Sequence, residues 1–199
     1  LLRVLLLWTV ATNAVASVPD PSNFVRQLGA SLLSEARADG RVAAGDKERV
    51  LALVDAKLLP HVDFARMTAE AVGRPWRDAT PAQRQALQQA FKTLLIRTYA
   101  GAVKQMKERR MEVKPMRVLP DDLKVIVRSE VVGGGQPIQL DYRLEKSDAG
   151  WLIYDINVLG LWLVETYRTQ FASVIGSEND VTALINALKA LNAANAAKS

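Results

Sequence analysis

Residues 138–145 alternate without a break. Ile138, Leu140, Tyr142 and Leu144 are apolar, and Gln139, Asp141, Arg143 and Glu145 between them are polar. A period of two puts the first set on one face of a strand and the second on the other, so this stretch is a half-buried strand. Ser147-Asp148-Ala149-Gly150 is a turn, and Trp151 to Val158 beyond it is a second strand, apolar on both faces. Strands one short turn apart pair antiparallel. Gly160 ends the strand pattern, and Leu161 to Phe171 takes up helical spacing. A hairpin therefore feeds a helix that folds back over the sheet, and the doubly apolar strand demands cover on both sides.

The rest of the chain sorts around that unit. Asp20 and Ser22 are N-cap candidates for a helix from Asn23 to Ala38, and Asp46 caps a second that stops at Pro60. A third spans Val62 to Val72 and closes at Gly73. Thr80-Pro81 opens the longest helix, where Leu87, Ala90, Phe91, Leu94, Leu95, Tyr99 and Val103 recur at three- and four-residue steps. Strands follow at Glu112 to Leu119, interrupted by Pro115, and at Leu123 to Val131. Gly133-Gly134-Gly135 reads as a flexible hairpin tip; no Lys-Ser/Thr follows it, so it is not a phosphate loop. A last helix covers Val181 to Leu191, and 193–199 is a frayed tail of small residues. Helices, then strands, then helices argue an α+β fold. The expected architecture is a curved four-stranded antiparallel sheet with the long helix across its concave face. One domain, 17–192, is expected, with a helical part at about 22–78 packed on 80–192.

The first residues stand apart. Arg3, a short apolar run from Val4 to Val10, and Ala14-Val15-Ala16 before Ser17 have the form of a secretory signal, cleaved after residue 16. The run is shorter than the ~20 residues a membrane span needs. An exported chain with no cysteine is held together by packing alone, and 49% apolar residues supply the core for it. The net charge of +5 is concentrated. Lys104, Lys107, Arg109, Arg110, Lys114 and Arg117 face only Glu108 and Glu112 in one stretch. That stretch suits docking to an anionic surface or acidic partner, or equally a solvated helix end. It lacks interleaved aromatics, which argues against nucleic acid.

The means for catalysis are few. Without cysteine there is no thiol chemistry, and the one histidine, His61 beside Pro60, supports neither a triad nor a His-rich metal site. Asp141 and Asp155 lie on neighbouring strands; Asp155 interrupts an apolar run and reads as a satisfied structural carboxylate before a catalytic base. Asp141 is accounted for by Arg143 or Lys146 nearby. The long helix, the last strand and the Leu161 helix together carry more apolar surface than two layers bury. An internal cavity is one outlet for that surplus; a second helical layer is the other.

Several short motifs, in order, resemble the MlaC-type phospholipid-binding proteins, also called toluene-tolerance or ABC-transporter auxiliary proteins. They are Leu59-Pro60 with Asp63-Phe64; Gly73-Arg74 with Trp76; Thr80 with Gln83; Thr98-Tyr99-Ala100; Leu140-Asp141-Tyr142; Tyr154-Asp155-Ile156; and Tyr167-Arg168 with Phe171. The resemblance implies a monomeric periplasmic carrier with no cofactor and phospholipid as cargo. Such a carrier runs between an outer-membrane lipoprotein–porin complex and an inner-membrane ABC transporter bearing an MCE ring, and it maintains outer-membrane lipid asymmetry. On that reading Leu94, Leu95, Tyr99, Val103, Val125, Val127, Ile138, Leu140, Tyr142, Ile156, Val158 and Phe171 line a pocket for the tails. Arg143 and Arg168 are head-group candidates, and the basic stretch from Lys104 to Arg117 is the docking face. The chain leaves the pattern at Leu159-Gly160-Leu161-Trp162, where the family commonly has Glu-Gly-[Val/Ile]-Ser; the turn becomes more apolar. A polycyclic, hopanoid-like cargo is an alternative, and so is a small isomerase-like enzyme with Asp155 as base.

Overall fold

The computed structural model describes residues 20–103, 108–119, 121–176 and 180–197. The signal segment at 1–16, Lys104 and Lys107 lie outside the described residues.

Side-chain caps fix the helices of the first half. Helix α1 is Pro21–Ala38, and Asp20 accepts the Asn23 N–H at 2.9 Å, so the helix opens ahead of Asn23, with Pro21 in its first turn. Asp39 caps a single turn, α2 (Gly40–Ala43), and Asp46 caps α3 (Lys47–Leu53). The stretch after α3 is irregular where one helix to Pro60 was expected. A π-helical turn, Val54–Leu58, passes into a 3₁₀ turn, Leu59–His61. Asp63 then caps α4 (Phe64–Val72), which ends at Gly73 with φ of 75°. Helix α5 (Pro81–Val103) starts with a reciprocal capping box. Thr80 Oγ accepts the Gln83 N–H at 3.2 Å, and Gln83 accepts the Thr80 N–H at 2.9 Å.

One antiparallel meander follows: β1 (Arg110–Val113), β2 (Lys124–Val132), β3 (Ile138–Ser147), β4 (Gly150–Val158) and β5 (Leu161–Trp162). The sheet thus has five strands where four were expected. The fifth lies in the stretch assigned to helix. Leu159 and Gly160 both adopt positive φ, and the Asn157 side chain accepts the Gly160 N–H at 2.8 Å. That turn sends Leu161 and Trp162 back alongside Val158 and Asn157 before α6 (Leu163–Ile175) begins. β1 is shorter and earlier than the expected strand, because Pro115 has no N–H to continue the ladder. Helix α7 is Val181–Ala197, so it runs through most of the stretch read as a frayed tail.

β3 and β4 carry the inner face. Tyr142 pairs with Ile156 and Leu144 with Ile153, with a register shift between Arg143 and Leu144. Tyr154 is the extra residue of this bulge, so Ile153 and Ile156, three apart, share a face. This explains why the last strand looked apolar on both sides. Helix α1 lies directly on the inner face: Val25 packs with Val127, Tyr142, Leu144, Trp151 and Ile153. The glycine tip is pinned instead of flexible. Buried Arg109 donates to the carbonyls of Val131, Gly134 and Gln136, and a Cβ on Gly133 would stand 2.8 Å from the Glu108 carbonyl oxygen.

Candidate functional site

Helix α5 serves two environments. Its first half packs solidly: Leu87 and Phe91 are fully buried against α4, α6 and α7. Phe91 meets Tyr167 and Phe171 edge-on at 5.0 and 5.1 Å between ring centres. Its second half packs Ile96 and Ala100 against Ala36, Val42 and Val50 and turns its other apolar side chains to open space. One cavity of about 230 Å³ lies between α5, the irregular segment and the end of β4, lined by Leu59, Val62, Leu95, Ile96, Val158 and Leu163 among others. A second of about 300 Å³ lies between α1, the inner sheet face and α5, lined among others by Leu28, Leu32, Met111, Leu140 and Tyr142. Four residues belong to both walls: Leu58, Tyr99, Val103 and Ile156. The walls are aliphatic and aromatic. Lys92, the one charged residue among them, turns its ammonium to Asp55 at 2.9 Å. Burial pushes the hydroxyls of Tyr99 and Tyr142 above their ordinary range, so both stay neutral at any physiological pH.

Of the tail-pocket candidates, Leu95, Tyr99, Val103, Leu140, Tyr142, Ile156 and Val158 line these cavities. Leu94 and Phe171 sit in the packed core beside Phe91, and Val125 and Val127 sit between sheet and α1. Ile138 is half-buried at the start of β3 and lines neither cavity. Sequence reading missed the walls given by α1 and the irregular segment. The stripe Val50, Val54, Leu58, Leu59 was visible there, but nothing in it told a cavity from a core.

The polar candidates are engaged elsewhere. Arg143 donates to Asp155 at 2.9 Å and to Glu165 at 3.0 Å, and its guanidinium stacks on Trp162, 4.0 Å from the ring centre. Arg168 donates to the Glu70 carbonyl at the end of α4. Asp155 is fully buried and lines neither cavity. It accepts the N–H groups of Ile156 at 2.9 Å and Val164 at 3.1 Å, and so caps α6 from a neighbouring strand. Burial raises its carboxyl above the usual range, against the pull of these N–H groups and Arg143. Buried Asp141 is held by the Ser129 N–H and the Gln139 amide, not by Arg143 or Lys146. In the basic stretch Arg110 pairs with Glu112 and Lys114 with Glu130. Arg117 lies in the irregular stretch between β1 and β2.

An α+β domain with a meander sheet, covered by helices that leave apolar space between themselves and the sheet, is the class that fold and site define. The family MlaC protein matches residues 26–190, and the chain belongs to it. The phospholipid-binding protein of Ralstonia solanacearum, solved in complex with a phospholipid, is 44% identical. It superposes with a TM-score of 0.85 over 89% of this chain and 99% of that one. The intermembrane phospholipid transport system binding protein MlaC of Haemophilus influenzae is 21% identical over 179 residues, 88% of this chain and 83% of that protein.

Proposed function

We propose that this protein is a periplasmic carrier of phospholipid, exported by its N-terminal signal and acting without catalysis. The observation that carries the reading is the pair of adjoining apolar cavities across Tyr99 and Ile156. Each is at or below the ~300–1,000 Å³ of a small-molecule site, and the two adjoining bring the space into that range. Two tails of ~15 methylenes gain roughly 25 kcal/mol against water at about 0.8 kcal/mol each. A membrane offers the same tails nearly the same environment, so extraction and release are close to balanced, as a shuttle requires. The carrier runs between an outer-membrane lipoprotein–porin complex and an inner-membrane ABC transporter with an MCE ring, and its traffic sustains lipid asymmetry. The stretch from Lys104 to Arg117 meets those partners. Arg143 and Arg168 reach a head group only by leaving Asp155, Glu165 and the Glu70 carbonyl, so the head group sits in solvent at the mouth. An isomerase with Asp155 as base is disfavoured because that carboxylate faces the α6 terminus.

Gentle purification, solvent extraction and lipid mass spectrometry test this. Stoichiometric phospholipid is the expected result. Protein that carries no lipid and takes none from phospholipid vesicles would sink the reading.

A further inference from the structure

The two cavities meet along a line of four side chains, and these are not equivalent. Leu58 stands on the π-helical turn, where backbone bonding is irregular and no residue is buried. Ile156 projects from β4 beside the bulge. Val103 closes α5. Tyr99 is the largest of the four and is carried by a regular helix. Two turns earlier that helix is locked by Phe91 in the aromatic cluster, and the Asn192 side chain donates to the Ala90 carbonyl at 2.9 Å. The ring of Tyr99 is therefore a fixed post between two apolar lobes, opposed by a deformable lip at Leu58.

We infer that Tyr99 is a specificity-determining residue: it gives each of two aliphatic chains its own lobe and bars cargo too wide for one lobe. This rests on the carrier reading and extends it. A diacyl lipid straddles the post with one tail on each side. A rigid fused-ring lipid needs an undivided space and is refused. A single-chain lipid fits once in each lobe, so two bind per protein.

Native mass spectrometry tests this on delipidated full-length protein. The probes are palmitoyl lysophosphatidylethanolamine and vesicles of phosphatidylethanolamine, phosphatidylglycerol and cholesterol. The unaltered protein should take two lysolipids, or one diacyl lipid, and no cholesterol. Tyr99→Ala should raise cholesterol retained relative to phospholipid by about tenfold or more. Ile156→Ala, which thins the divider from the sheet side, should move the same ratio in the same direction and serves where Tyr99→Ala fails to fold. One lysolipid per unaltered protein, or cholesterol ratios unmoved by both alanine variants, overturns the inference and leaves the carrier standing. Failure of the unaltered protein to hold any lipid removes both.

Discussion

The two halves of α5 carry similar apolar stripes and have opposite fates. Around Phe91 aromatic partners come from α4 and α6 and aliphatic ones from α7, all regular helices, so rings interlock and pack closely. Around Tyr99 most of the cavity-lining side chains are aliphatic and come from α1, an irregular turn and the sheet, with Phe64 and Tyr142 the other rings. The amount of apolar surface is alike; the shape of what opposes it is not. A helix pinned hard at one end can overhang a cavity at the other, so the packed half holds the hollow half open.

That contrast is open to attack, and the largest effect lies in the packed half. Phe91→Ala removes a fully buried ring and should cost about 3–5 kcal/mol in urea unfolding. Leu95→Ala, one turn on, borders a void already and has fewer contacts to lose; it should cost about 1 kcal/mol. Equal losses at the two sites would end the distinction. Asp155→Ala comes next. It orphans two N–H groups, while Arg143 keeps Glu165, and should cost about 2–3 kcal/mol. Its pH dependence has a definite sign. The folded state binds the Asp155 proton more tightly than the unfolded chain, whose carboxyl sits near 3.8. The stability this gives is fully present below that value and is lost as pH rises through the folded one. The stability advantage of the unaltered protein over Asp155→Asn should therefore shrink as pH is raised from about 4. An advantage that grows instead contradicts the burial argument.

Overfilling reverses the ranking. Ala90→Trp forces an indole into close packing and should cost about 1–3 kcal/mol. Val103→Trp enters existing space, should shift stability by less than about 0.5 kcal/mol, and should abolish phospholipid retention by mass spectrometry. A protein with Trp at 103 that still carries a full complement of phospholipid would show that the cavities are not where the tails go.

The fold was legible wherever a local rule has one outcome. Alternation at 138–145 placed β3, and Thr80-Pro81 placed the start of α5. Legibility failed where the outcome depends on a distant partner. The irregular turn after Val54, the β5 pairing at Leu161 and the bulge at Tyr154 are set by neighbours far along the chain. The site was read in part for the same reason. Period told that Tyr99 and Phe171 face inward. Whether inward means ring or void depends on what lies opposite, and Phe171 meets Phe91 while Tyr99 borders both cavities.

The gentlest test separates the halves by what ties them. The segment 54–61 is joined to its surroundings by the ion pairs Asp55–Lys92 at 2.9 Å and Lys57–Glu35 at 2.7 Å. Cavity lies beneath part of it and none of its residues is buried, so less apolar contact backs those pairs than surrounds Phe91. The first half of α5 is tied by buried rings that salt does not screen. Raising salt from about 0.05 to 0.5 M shortens the reach of exposed charges several-fold. Amides of 54–61 should then exchange roughly threefold faster, in keeping with pairs worth under about 1 kcal/mol each, while those of 84–94 hold constant. Bound phospholipid fills the space beneath the segment and should restore its protection. Salt that speeds both regions alike, or lipid that protects neither, would mean the hollow half is as firmly built as the packed one.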